Sequence, residues 1–202
     1  MKYPDFYTKI ETIRLYDPLS DFLGALSDGI TEINYLDCVK LAGHSCPTVA
    51  GAYLMTLQGL KALYPDSMPE RGSIKVSIKN DRSEGVTGVV GNIISFITGA
   101  CDASGFKGIQ GNFSRNDLLM YNVPIAGEVM FTRMNTNESI NVSYDPSSIP
   151  TDEMMRPLMA KILQSNASDD EKQTFKTLWQ KRVEKILLTP ESWDSIITLQ
   201  KS

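Results

Sequence analysis

Apolar residues recur at helical spacing in two long segments of the chain. The first segment spans residues 47–64 and places Val49, Ala52, Tyr53, Leu57, Leu60 and Leu63 on one face. The second spans residues 85–98 and ends before Gly99, which suits a helix C-cap. Its many β-branched residues leave a strand as the alternative there. The pattern therefore predicts two helices, the first of them central.

Alternating apolar and polar residues predict the strands. Residues 73–79 alternate throughout. Further strands are predicted over residues 106–113, 118–123, 128–134 and 140–144, and residues 135–139 resemble a hairpin turn. Before the central helix, the pattern predicts a helix over residues 17–26, a strand over 30–35 and a short helix over 37–41.

The C-terminal part reads as helical. One helix is predicted over residues 151–164, and Ser168 with Glu171 forms a capping box before another amphipathic helix. The predicted fold class is α+β, with a mixed sheet of about four strands packed by two helices in the order α-β-α-β-β-β. Residues 1–150 would form the core domain. Residues 151–202 would form a helical extension packed on the core or on a second subunit, so we expect a homodimer.

Glycines in the two long helices indicate close packing. Gly51 and Gly59 lie inside the first helix, where glycine costs about 1 kcal/mol relative to alanine. We expect another backbone to approach them. Gly88, Gly91 and Ser95 form a small-residue face on the second helix, which could dock on the first.

Composition and charge narrow the functional classes. The chain has 202 residues, enough for one domain with an appendage, and its net charge of −4 argues against nucleic acid as the main partner. No apolar run is long enough to span a bilayer, and the N-terminus lacks the apolar core of a signal peptide. We therefore expect a cytoplasmic protein with no membrane partner. Its three cysteines are too few for a disulfide framework, and we expect them to be reduced.

The run Gly43-His-Ser-Cys-Pro47 carries the candidate chemistry. His44 is the only histidine in the chain, and Pro47 suits the first position of the central helix. Cys46 would then be the N-cap, where free backbone N–H groups and the helix dipole favour a thiolate. Imidazole and thiolate suit zinc first, with iron, nickel or copper as alternatives. If the neighbouring elements are antiparallel, Asp81 and Glu84 return to this helix start as alternative ligands.

Four segments resemble the FmdE-like family, named for a protein associated with formylmethanofuran dehydrogenase. They are the Gly43–Pro47 run, residues 74–78, residues 97–100 and the glycine-bearing residues 106–112. The resemblance covers residues 35–144 and implies the family core without its C-terminal zinc finger. Thr48 replaces the usual glycine, and Ala100 stands where the family often has cysteine. Because Cys101 is one place further on, the resemblance implies it as a metal ligand beside His44 and Cys46, with Asp81 and Glu84 as the rivals.

Three functions follow, and the sequence leaves open whether the protein is an enzyme. The first is a metal-binding FmdE-like protein of undetermined reaction, which could act on a small molecule. The second is a non-enzymatic accessory or metal carrier for a redox-enzyme partner. The third is a metal-free thiol enzyme with Cys46 as nucleophile and His44 as base. Lys107, Asn112 and Arg115, around the glycines at 108 and 111, are candidates for binding a substrate or an anion.

Overall fold

The fold is built from helices and strands distributed along nearly the whole chain. A computed structural model describes residues 2–202. Its helices are Pro18–Phe22 (α1), Tyr35–Ala42 (α2), Pro47–Leu63 (α3), Thr87–Thr98 (α4), Met155–Leu163 (α5), Asp169–Leu188 (α6) and Trp193–Ile196 (α7). Its strands are Ile13–Tyr16 (β1), Ile30–Ile33 (β2), Ile74–Ile78 (β3), Leu119–Met120 (β4), Val129–Arg133 (β5), Ser139–Tyr144 (β6) and Ile197–Lys201 (β7).

The main sheet has five strands in the order β4-β3-β5-β6-β7. Strands β3 and β4 are parallel, and every other neighbouring pair is antiparallel. Strands β1 and β2 form a separate antiparallel ribbon. The mixed sheet and its covering helices confirm the predicted α+β class. The sheet has one more strand than expected, because β7 comes from a tail that was predicted to be wholly helical.

Helix α3 is the core of the molecule. Twelve of its 17 residues are buried, and it packs against α4, α6 and strands β5 and β6. Burial on nearly all sides explains why this helix is so apolar, since a helix enclosed by protein needs no solvent-facing stripe. No helix within residues 2–202 is long and apolar enough to cross a membrane.

Two local predictions need correction. Residues 106–113 were predicted to be a strand, but they form a loop with one isolated bridge between Ile109 and Asn112. Backbone conformation explains this difference, because Gln110 and Phe113 have φ angles of 47° and 62°, outside the β region. Strand β1 was not predicted at all, although the β2 segment was.

Three helix glycines, Gly51, Gly59 and Gly91, face side chains, whereas a Cβ atom at Gly88 would lie 3.1 Å from Arg82 O. A Cβ atom at Gly51 would overlap the Tyr144 ring, and one at Gly59 would come within 2.8 Å of the Phe131 ring. At Gly91 a Cβ would overlap the Tyr121 hydroxyl. The expected approach of another backbone to α3 is therefore wrong. The Gly91 face of α4 likewise receives Tyr121 and not the central helix.

The C-terminal segment contacts the rest of the same chain. The capping box forms as predicted, with Glu171 N donating to Ser168 Oγ at 3.2 Å and Ser168 N donating to the Glu171 carboxylate at 2.9 Å. Val183, Ile186 and Leu187 of α6 join the main core. Strand β7 then pairs with β6 at the sheet edge. A domain boundary near residue 150 stays a prediction.

Candidate functional site

The Gly43–Pro47 run is a tight connection between two helices. Gly43 ends α2 with φ of 74°, and its N–H donates to Val39 O at 2.9 Å. Cys46 is the N-cap of α3, its Sγ accepts from Val49 N at 3.5 Å, and Pro47 takes the first helical position. The sequence therefore folds here as its proline and glycine predict, with only His44 and Ser45 between the C-cap of α2 and the N-cap of α3.

One ring nitrogen of His44 makes a hydrogen bond to the backbone, and the other is free to bind a ligand. The side chain is exposed, and its Nδ1 lies 2.9 Å from Ala42 O. A carbonyl oxygen can only accept, so Nδ1 carries the proton and the neutral ring keeps a lone pair on Nε2. Metal-binding histidines are usually oriented by such a second-nitrogen contact. The ring borders the α2–α4 groove, a depression of about 430 Å³ that is also lined by Leu41, Ala42, Val89, Asn92, Ile93, Ser95 and Phe96.

Ser45, between the two candidate ligands, is clamped by helix α6. Its hydroxyl donates to Gln180 Oε1 at 3.1 Å and accepts from Tyr35 at 3.0 Å. Its carbonyl accepts from Trp179 Nε1 at 2.8 Å and, more weakly, from Gln180 Nε2 at 3.4 Å. Tyr7 donates to the same Gln180 oxygen at 3.2 Å. We call these five residues the Ser45 clamp. It fixes the backbone that carries His44 and Cys46.

Cys46 is largely shielded from solvent. Its side chain belongs to the buried core and is only 8% exposed. The Tyr144 hydroxyl donates to Pro47 O at 3.0 Å, directly after the cysteine. Beside this turn lies the amino-end cleft, a cavity of about 410 Å³ whose polar lining includes Thr48, Glu84, Thr87 and Glu128.

Glu84 lines the cleft beside the motif, whereas Asp81 does not. Glu84 lines the amino-end cleft together with Pro47 and Thr48, in agreement with the topological expectation that it returns to the start of α3. Asp81 is exposed, and its carboxylate accepts from the Ser83 hydroxyl at 2.6 Å and the Ser83 amide at 2.9 Å. Those two hydrogen bonds lower the pKa of Asp81. Asp81 is therefore engaged in its own turn.

Cys101 lies just beyond the C-terminal end of α4. Its thiol donates to Gly99 O at 3.7 Å and accepts from Ser95 Oγ at 3.9 Å. Ser95 lines the same groove as His44, so Cys101 sits next to a groove residue. Across residues 2–202, no three His, Cys, Asp or Glu side chains lie close enough together to hold one metal ion. A single chain in this conformation thus offers the right donor types without a complete ligand set.

The three candidate substrate-binding residues are only partly brought together. Asn112 and Arg115 line one cleft of about 360 Å³, whereas the exposed Lys107 does not. Arg115 Nη2 donates to Asp17 Oδ1 at 2.5 Å, and Arg71 Nη1 donates to Asp17 Oδ2 at 3.0 Å. We call Asp17, Arg71 and Arg115 the Asp17 cluster. Arg115 has a structural partner there in addition to its position on the cleft.

Burial and hydrogen bonding act in opposite directions on Asp17. Its side chain is almost inaccessible, and burial alone would raise its carboxyl pKa. Hydrogen bonds from Arg115, the Ser20 amide and Arg71 outweigh that effect and hold the pKa below its ordinary value. The carboxylate therefore stays charged and ties α1 to the loops that carry the two arginines.

The fold and motif define an α+β protein whose candidate ligands stand at the start of its central helix. The sequence matches the family described as "FmdE, Molybdenum formylmethanofuran dehydrogenase operon" over residues 41–193. Because this match covers most of the chain, the protein belongs to the FmdE family. The matched region contains both the Gly43–Pro47 run and the α6 residues of the Ser45 clamp. A search of curated proteins finds no match.

Proposed function

We propose that this FmdE-family protein has a role associated with formylmethanofuran dehydrogenase and binds a divalent transition metal through His44 and Cys46. Zinc is the first choice, with iron, nickel or copper as alternatives. The observation that carries the proposal is the orientation of His44. Its Nδ1–H is held by Ala42 O, which leaves Nε2 on an exposed ring as a ligand atom.

The two donors do not complete a metal site by themselves. Structural zinc takes four protein ligands, and catalytic zinc usually takes three. We propose that the missing ligands come from Cys101, from Glu84 or Asp81 after rearrangement, or from a second copy in a homodimer. The exposed position of His44 at the α2–α4 groove supports a shared site, because a partner can reach it. Light scattering of the purified protein tests the homodimer.

Metal analysis of untagged protein tests the ligands. We expect stoichiometric metal in the wild type and loss of that metal in both His44→Ala and Cys46→Ser. Cys38→Ala is the matched control, because Cys38 is fully buried in the core, remote from solvent. Cys101→Ser decides whether Cys101 takes part. Sub-stoichiometric metal after reconstitution, unchanged in His44→Ala and Cys46→Ser, would exclude the proposal.

An accessory or carrier role is the second candidate function. A carrier must present its metal to a partner, and the exposed His44 ring meets that need better than an enclosed one. Transfer of bound metal to the partner dehydrogenase, with no turnover of small molecules, would distinguish a carrier from an enzyme.

The thiol-enzyme alternative has less geometric support. His44 bonds to Ala42 O and Cys46 Sγ accepts from Val49 N, so within residues 2–202 the two side chains make no hydrogen bond to each other. A Cys–His catalytic pair needs that contact, although it can lengthen in an unliganded enzyme. Alkylation of Cys46 no faster than that of Cys38 or Cys101 would remove this alternative.

A further inference from the structure

The amino-end cleft has the size and lining of a small-molecule site. It lies where α3 and α4 begin, beside the ends of β3 and β6 and the start of β5. Its volume of about 410 Å³ falls in the ordinary range for ligand pockets. The apolar part of its lining includes Met55, Ile78, Val90 and Val129. Such a surface would bury a short hydrocarbon body.

The charged groups of the cleft are all acidic. Glu84 and Glu128 line it, and among the described residues that line it there is no lysine, arginine or histidine. Glu128 Oε2 accepts from Tyr144 N at 3.1 Å, which orients that carboxylate and leaves its other oxygen available. The Glu84 carboxylate is exposed and takes part in no ion pair within residues 2–202. An anionic ligand would meet repulsion here, and a cation would meet two acceptors.

Thr87 supplies an independent indication of a ligand. Its side chain lines the cleft and is more than nine-tenths buried, being only 8% exposed. Within residues 2–202 its hydroxyl has no hydrogen-bond partner, and the α4 N-cap, Val86, provides no side-chain cap. Among residues 2–202 the fully enclosed polar atoms without a partner are Gln58 Nε2 and the Tyr121 hydroxyl, so the Thr87 hydroxyl keeps some accessible surface and is open to a group in the cleft. A ligand with an N–H group could satisfy it.

We infer that the amino-end cleft binds a small organic cation, namely a primary ammonium group on a short apolar body. The ammonium group donates to the carboxylates of Glu84 and Glu128 and to the Thr87 hydroxyl. The hydrocarbon body packs on the apolar lining. Charge-assisted hydrogen bonds of this kind are stronger than neutral ones, so the ammonium group contributes most of the selectivity. The inference does not depend on metal binding at His44.

A matched series of probes tests the ligand class on the full chain. Hexylammonium, 1-hexanol and hexanoate each have six carbon atoms and carry a cationic, a neutral and an anionic head group in turn. We expect hexylammonium to bind at least about tenfold more tightly than either analogue in NMR titrations, because that factor corresponds to one good charged contact. The same affinity in His44→Ala would separate this site from the metal proposal.

Isosteric variants test the residues. Glu84→Gln with Glu128→Gln should reduce hexylammonium binding to the level of hexanol, and Thr87→Val should weaken it about threefold to tenfold. Glu153→Gln, at an exposed position outside the cleft, is the control and should change nothing. Equal or tighter binding of hexanoate would overturn the inference. So would unchanged hexylammonium affinity in the cleft variants, or its loss in His44→Ala, with thermal melting confirming that each variant is folded.

Discussion

Replacing Gln180 by leucine would remove the side chain that joins the C-terminal helix to the motif. The Gln180 oxygen accepts from Ser45 Oγ at 3.1 Å and from Tyr7 at 3.2 Å, while its nitrogen donates to Ser45 O at 3.4 Å. Leucine is one atom shorter than glutamine but similarly bulky and has no polar atoms, so it keeps most of the apolar packing and deletes all three hydrogen bonds. The variant therefore isolates the polar part of the Ser45 clamp.

The expected cost follows from the hydrogen bonds that are lost. The two bonds to the Gln180 oxygen contribute about 1 kcal/mol each. The long third bond adds little, because Trp179 still donates to the same carbonyl at 2.8 Å. We therefore expect a loss of about 2 kcal/mol in the free energy of unfolding. For a chain of 202 residues that corresponds to a fall of about 4–8 °C in the melting temperature.

A double-mutant cycle measures the clamp directly. Urea denaturation of wild type, Gln180→Leu, Ser45→Ala and the double variant should give a coupling energy of about 1 kcal/mol, as for residues in one hydrogen-bond network. Gln173→Leu is the matched control, since Gln173 is an exposed glutamine on the same helix. Its effect should stay within about 0.5 kcal/mol.

The alkylation rate of Cys46 shows whether the Ser45 clamp positions the motif or only adds to the stability of the fold. Cys46 is 8% exposed while the clamp is intact. We expect iodoacetamide to alkylate it faster in Gln180→Leu than in Gln173→Leu, because a loosened Ser45 opens the start of α3. A coupling energy below about 0.3 kcal/mol, together with an unchanged alkylation rate, would refute the reasoning. Helix α6 would then contribute only apolar packing.

Three other expectations follow from single contacts. Asp17→Asn should cost about 3 kcal/mol in urea denaturation, because it leaves the arginines of the Asp17 cluster without their buried anion. Folding lowers the pKa of Asp17 from its ordinary value of 3.8, so the carboxylate stabilises the folded protein fully above pH 3.8 and loses this effect as the pH falls further. The acid-dependent loss of stability should therefore be smaller in Asp17→Asn than in the wild type. Gly51→Ala should be destabilising by about 1 kcal/mol, since overlap with the Tyr144 ring outweighs the gain in helix propensity; a more stable variant would contradict that packing. Burial raises the pKa of Cys38 to about 12, so mass spectrometry should find its thiol unalkylated in native protein at mildly alkaline pH and alkylated in concentrated urea.

The elements that could be predicted are those whose signals are local. Helices α3 and α4 follow from helical periodicity together with Pro47 and Gly99, and strand β3 follows from strict alternation. These signals depend on neighbouring residues, which is why the boundaries agree to within a few positions. The capping box at Ser168 could also be predicted, because its two partners, Ser168 and Glu171, are only three residues apart.

The elements that were missed depend on distant partners or on backbone conformation. Strand β7 exists because it pairs with β6, more than 50 residues earlier in the chain, and only its first residue is buried. Residues 106–113 have a strand-like composition, but glycines at 108 and 111 with positive φ angles turn the chain into a loop. Neither outcome leaves a clear periodic signal.

In the candidate site, too, the local features could be predicted and the long-range contacts could not. Pro47 and Gly43 place His44 and Cys46 correctly between two helices, because helix caps are local features. Trp179 and Gln180 reach Ser45 across more than 130 residues of sequence, and their spacing indicates only an amphipathic helix. No sequence motif could have assigned them to the site.

The effect of the C-terminal segment on the motif should be tested with a point variant of the Ser45 clamp and not with a deletion. Deleting it would remove the bonds to Ser45, but it would also remove Val183 and Ile186 from the core and strand β7 from the sheet. Loss of metal or ligand binding after such a deletion would therefore say nothing about the motif. Gln180→Leu leaves the apolar contacts and β7 in place, so a change in Cys46 reactivity can be assigned to the clamp. The segment beyond residue 150 then acts on the motif through polar contacts that can be measured separately from its contribution to the core.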